Sequence, residues 1–143
     1  MNLWCADPRR RAQSVYWRRL REAQREVPTI LIVDDDPSHL KIYSWVIERG
    51  GFRPRTVLVQ QDQLNLPKAE NIDLAVLDYR LGVGLSAVDV AKRLRELYPH
   101  MPILILSDLF GMPEDMAPFA SGFVRKGEPQ QLLDTIVSTL KAA

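Results

Sequence analysis

The chain has 143 residues, 46% hydrophobic and 26% charged, with a formal net charge of +1. That is one domain's length with room for a core; the charge balance makes no electrostatic case for nucleic acid, and no apolar stretch approaches the roughly 20 residues that span a bilayer. Cys5 is the single cysteine, which excludes an intrachain disulfide and points to a reducing, cytoplasmic address.

In chain order, the first 27 residues stand apart. Arg9, Arg10, Arg11, Arg18, Arg19, Arg21 and Arg25 are set against only Asp7, Glu22 and Glu26. The arginine triplet is not followed by the apolar core of a signal peptide. Val15, Tyr16, Leu20 and Val27 recur near helical spacing, which predicts a basic helix over 12–26 ending before Pro28. Residues 1–27 are thus an extension: a solvated segment, or a helix that docks on a partner or pairs two copies of the chain as a homodimer, with nucleic-acid contact the least favoured reading. A start assigned too early is a further reading.

From Pro28 short apolar runs alternate with amphipathic segments, the pattern of βα units on a parallel sheet. The first run, 29–33, leads into Asp34-Asp35-Asp36. Asp36 suits an N-cap and Pro37 a first helical turn. Leu40, Tyr43, Val46 and Ile47 give that helix its inner face, and Gly50-Gly51 stop it. His39 reads as a surface helix histidine rather than a ligand, and Tyr43 and Trp45 as packing. A second strand is predicted over 55–59 and a short helix over 62–66. The run 72–77 leads into Asp78. Val88, Val90, Ala91, Leu94 and Leu97 mark the next helix, ended by Pro99. The run 102–106 leads into Ser107, and 112–120 is a short, proline-interrupted helical stretch. The run 122–125 leads into Lys126, and Pro129 opens the last helix, with Leu132, Leu133, Ile136, Val137 and Leu140 inward. The count is five strands and about five helices.

As parallel strands of one open α/β sheet, these runs bring their endings to one edge, where such sheets bind ligands. Asp34, Asp35 and Asp78, the Ser107 hydroxyl and the Lys126 ammonium would converge there. Carboxylates for a metal, a further carboxylate, a hydroxyl and a cation can accept and hold phosphate. Burying Asp78 behind an apolar strand without a partner would be costly, which argues against a merely structural role.

The segments Ile30-Leu31-Ile32-Val33-Asp34-Asp35-Asp36-Pro37, Leu77-Asp78-Tyr79-Arg80-Leu81, Ile105-Leu106-Ser107 and Phe123-Val124-Arg125-Lys126-Gly127 resemble, in order and spacing, the receiver domain of two-component response regulators. The resemblance covers about residues 28–143. It implies a flavodoxin-like, doubly wound sheet of order 2-1-3-4-5. It implies Asp78 as phosphoacceptor, with Mg²⁺ bound directly by Asp35 and Asp78, by Asp34 through water, and by the Arg80 backbone carbonyl. Lys126 and Ser107 would contact the phosphoryl oxygens, and Ser107 and Phe123 would form the switch. Partners implied are a sensor histidine kinase or phosphotransfer protein and a downstream protein. The chemistry would be self-phosphorylation with slow autodephosphorylation, not turnover of a separate substrate.

Departures from the family pattern are Gly127 where proline is frequent, Gly82 four residues past the acceptor, Ala87 at a glycine position, Asp108 beside Ser107 and Phe123 without a hydroxyl. Asp108 is expected to crowd or repel a phosphodonor. These departures motivate an alternative: a pseudo-receiver that binds a partner without phosphorylation. A haloacid-dehalogenase-type phosphatase, with Asp34 as nucleophile and Asp36 as acid, leaves Asp78 unexplained. With Lys141-Ala142-Ala143 following the last helix, the expectation is a stand-alone receiver or one excised from a larger protein.

Overall fold

The computed structural model describes residues 15–16, 27–61, 63–82 and 84–142. The basic helix expected over 12–26 therefore lies outside the described residues, except at Val15 and Tyr16. In chain order the elements are β1 (Thr29–Asp34), α1 (Pro37–Arg49), β2 (Arg53–Leu58), β3 (Leu74–Asp78), α2 (Ala87–Leu97), β4 (Ile103–Ser107), β5 (Gly122–Arg125) and α3 (Pro129–Ala142). The strands form one parallel sheet of order β2-β1-β3-β4-β5, as expected. No helix among the described residues is long and apolar enough to cross a membrane.

Alternation along each strand divides the core between the two faces of the sheet. Leu31, Val33, Ala75, Leu77, Ile103 and Ile105 pack with Val90, Ala91 and Leu94 of α2. Ile30, Ile32, Leu74, Val76, Leu104 and Leu106 pack with Leu40, Val46 and Ile47 of α1 and Leu132 and Ile136 of α3. Both faces being covered, β1, β3 and β4 read as continuous apolar runs rather than alternating ones. β2 lies at the margin, with exposed Arg53 and Arg55 flanking Pro54, and it begins two residues before the predicted start.

Helix starts follow their caps. The Asp36 side chain accepts from the Ser38 amide at 2.8 Å at the head of α1. Ser86 and Asp89 exchange bonds in a capping box at the head of α2.

Two expected helices are absent among the described residues. Residues 63–66 are not helical, and 114–119 form a string of turns. Pro67 disfavours helical backbone at Leu66, and Pro113 and Pro118 confine the second segment to a few residues. Three helices, not about five, flank the described sheet.

The turn segment is tied down by Arg95 on α2. Its Nη1 donates to the Met101 carbonyl at 2.7 Å and the Pro99 carbonyl at 3.1 Å, and its Nη2 to the Phe119 carbonyl at 3.0 Å. Arg95→Ala leaves carbonyls without this donor and should lower stability by about 2 kcal/mol, read from the urea midpoint at unchanged slope. A loss below a few tenths would mean water replaces the guanidinium at no cost.

Candidate functional site

The fold delivers β1, β3 and β4 to one edge, and each ends on a polar residue. Asp34, Asp78 and Ser107 are 1%, 2% and 0% exposed, and they are the buried polar residues among those described. Ser107 pairs in register with Arg125, which places Lys126 just past the same edge. The Lys126 amide donates to the Ser107 carbonyl at 2.8 Å, and Gly127 turns the chain away at φ +84°. A side chain at 127 would be strained in that conformation, so glycine makes the bend.

Asp78 sits at the centre. Its Oδ1 accepts from Lys126 Nζ at 3.0 Å and from the Arg80 amide at 3.2 Å. Asp34 lies across the same pocket. Its Oδ1 accepts from the Asp36 amide at 3.0 Å, while its buried Oδ2 has no hydrogen-bond partner among the described residues. Asp35 turns toward the β3–α2 loop, where its Oδ2 accepts from the Gly82 amide at 3.0 Å. Ser107 Oγ accepts from the Leu109 amide at 3.2 Å. Phe123 is half-buried against the core face shared with α2.

The expected residues thus gather, with two differences of placement. Asp34, His39 and Asp78 bring donor atoms within 4.8 Å of one another, while Asp35, beside Asp34, accepts from the Gly82 amide with one carboxylate oxygen. His39, read from sequence as a surface histidine, directs Nδ1 to 3.4 Å from Asp34 Oδ2. The signal that could have found it is its position in the first turn, three residues past the N-cap Asp36. Asp108 is not a free repulsive charge: Arg80 Nε lies 3.4 Å from its Oδ1, both groups being exposed. Asp36, the acid of the phosphatase alternative, is engaged in capping α1.

Burial lifts the Asp34 carboxyl from 3.8 to about 7; the Asp78 and Asp35 carboxylates push the same way, and the Asp36 amide opposes them. Tyr43 on α1 is pushed up to about 12, by burial first and then by the charges of Asp34 and Asp78. Crowded carboxylates, one with an orphaned buried oxygen, suit a hard dication that takes oxygen ligands.

Below its ordinary 3.8 the Asp34 carboxyl is protonated in folded and unfolded chains alike. Between there and about 7 the unfolded chain releases the proton while the fold retains it, so stability from this group is lost as pH rises through that window. In Mg²⁺-free buffer, Asp34→Asn should melt above wild type at about pH 8, by roughly 1–3 kcal/mol, with the advantage shrinking toward pH 4. Parallel melting curves across that range would contradict the strained carboxylate.

The profile of the response regulator receiver domain matches residues 30–137. Among curated proteins, the heme response regulator HssR of Staphylococcus epidermidis is 28% identical over 115 residues, covering 78% of this chain and 50% of that protein. The alkaline phosphatase synthesis transcriptional regulatory protein PhoP of Bacillus subtilis is 35% identical over 78 residues, covering 54% of this chain and 32% of that one. The chain spans about half the length, or less, of these curated relatives. Among solved structures, a response regulator receiver domain protein from Clostridium thermocellum superposes with a TM-score of 0.68 at 23% identity, covering 81% of this chain and 96% of that one. The response regulator TrrA from Thermotoga maritima, in complex with Mg²⁺ and BeF, gives 0.65 at 24% identity, covering 80% and 99%. At such identity these structures speak to the fold.

Proposed function

The chain belongs to the response regulator receiver domain family, and from that premise we propose that it takes a phosphoryl group on Asp78 and uses it to switch a protein-binding face. The observation that carries this reading is the buried Asp78 carboxylate held at 3.0 Å by Lys126, beside a second buried carboxylate, Asp34. Both contacts on Asp78 fall on Oδ1, which supports Oδ2 as the attacking oxygen. That oxygen forms a bond to phosphorus as the donor's P–N bond breaks, and the electron pair leaves with the histidine of a sensor kinase or phosphotransfer protein. Lys126 stabilises charge on a phosphoryl oxygen without changing element. Mg²⁺, when held by Asp34, Asp35, Asp78 and the Arg80 carbonyl, neutralises charge on the transferring group.

Ser107 couples the chemistry to shape. A phosphoryl oxygen would accept from its hydroxyl, whose Oγ in this form accepts from the Leu109 amide. Drawing Ser107 inward pulls on the segment after β4, and Phe123 follows into the space released. Moving such an equilibrium from 1:99 to 99:1 takes about 5.5 kcal/mol of differential stabilisation, shared between phosphate and the downstream protein. The setting is cytoplasmic, and the reaction is self-phosphorylation with slow loss of phosphate.

Acetyl phosphate with Mg²⁺ tests this directly. Intact mass should rise by one phosphoryl group. Absence of an adduct from acetyl phosphate and from a phosphorylated histidine phosphotransfer domain, in protein that binds Mg²⁺, overturns the reading in favour of a phosphorylation-independent interaction module.

A further inference from the structure

His39 is partly exposed, yet one edge of its ring is turned into the site. Its ring faces two carboxylates: Nδ1 lies 3.4 Å from Asp34 Oδ2, and Nε2 lies 3.5 Å from Asp36 Oδ2. Nδ1 and Asp34 Oδ2 are both buried polar atoms, and neither makes a hydrogen bond within the described structure. Two donors sharing one cation at bonds of about 2.1 Å stand about 3.0 Å apart at a right angle and about 3.4 Å apart in a tetrahedron. The 3.4 Å contact is an ion pair when the ring is protonated, and the same separation fits two ligands on one ion.

The other ring nitrogen supports the same assignment. Metal-bound histidines commonly direct their second N–H to a carboxylate, which fixes ring orientation and tautomer. Asp36 is set to do this, because its other oxygen is pinned at 2.8 Å by the Ser38 amide at the head of α1. The third donor comes from Asp78, within 4.8 Å of both.

We propose that His39 is a nitrogen ligand of the cation site and biases it from Mg²⁺ toward first-row transition dications, Mn²⁺ through Zn²⁺. Mg²⁺ takes oxygen ligands and keeps its waters, so an imidazole adds little to its binding. For the transition dications imidazole is a favoured ligand, and affinity rises from Mn²⁺ to Cu²⁺ before falling at Zn²⁺. This inference rests on the reading that Asp34 and Asp78 hold a divalent ion.

Calorimetric titration with Mg²⁺ and with Co²⁺, on wild type, His39→Leu and His39→Gln, tests it. Position 39 is partly exposed in the first turn of α1, and circular dichroism confirms that each variant is folded. His39→Leu should bind Co²⁺ about tenfold or more weakly while Mg²⁺ affinity changes less than about twofold, and His39→Gln should not restore Co²⁺ binding. The nitrogen coupling in the pulsed EPR spectrum of bound Mn²⁺ should vanish in both variants. Equal Co²⁺ affinity in wild type and His39→Leu, with Mg²⁺ bound normally, overturns the histidine ligand and leaves the phosphorylation site standing. Binding of neither ion to wild type overturns both readings.

Discussion

Asp78→Asn should leave the protein folded and unable to gain phosphoryl mass under conditions that phosphorylate wild type. The substitution keeps the shape of the side chain, and the amide oxygen can still accept from the Arg80 amide that lies 3.2 Å from Asp78 Oδ1. What disappears is the nucleophile, because a neutral amide oxygen does not form an acyl phosphate. The loss is complete rather than graded, since among the described residues Lys126 pairs with Asp78 and with no other carboxylate. Asp34 is lifted to about 7 by burial and crowding, and Asp35 accepts from the Gly82 amide. The same variant relieves Asp34 of a neighbouring charge, so its carboxyl should titrate lower. An adduct surviving in Asp78→Asn would move the chemistry to another carboxylate and discard the assignment.

Lys126→Met should slow phosphorylation by about 10²–10³-fold, the usual cost of removing one preorganised donor from a transferring oxyanion. Methionine keeps the length and apolar stem of the side chain and removes only the charge. Asp78 then loses its ion pair, so the Mg²⁺-free protein should melt lower. Mg²⁺ affinity should hold or rise, because a competing cation has left. Lys126→Arg should recover part of the rate. Single-turnover phosphorylation by acetyl phosphate at saturating Mg²⁺ reads the effect. A rate within about threefold of wild type would remove Lys126 from the reacting group.

Much of this architecture was legible because buried parallel strands leave a plain trace. The three central strands are apolar throughout, so the polar residue ending each one stands out: Asp34, Asp78 and Ser107. β2 was less legible since it is half-exposed, and Arg53 and Pro54 masked its true start. The helical stretches predicted over 62–66 and 112–120 failed at prolines, whose backbone demands outweigh a few apolar residues at helical spacing. Side-chain direction was the least accessible information. That Asp35 bonds to Gly82, a residue 47 positions away, depends on how two loops meet at the sheet edge. That His39 faces Asp34 depends on the rotation of α1 about its own axis, which the strand pattern does not report.

The two margins of the sheet bear on how the protein behaves when crowded with copies of itself. β5 is four residues long, and β2 carries Pro54 between two exposed arginines, with Arg55 gripped by Glu70 at 3.1 Å. A foreign strand seeking to extend the ladder meets a stub on one side and, on the other, a missing donor flanked by charged side chains. Aggregation through strand addition is thereby discouraged at both ends. Variants that loosen the pocket at the sheet's carboxyl edge leave this protection in place, and should remain dispersed in solution at temperatures where they stay folded.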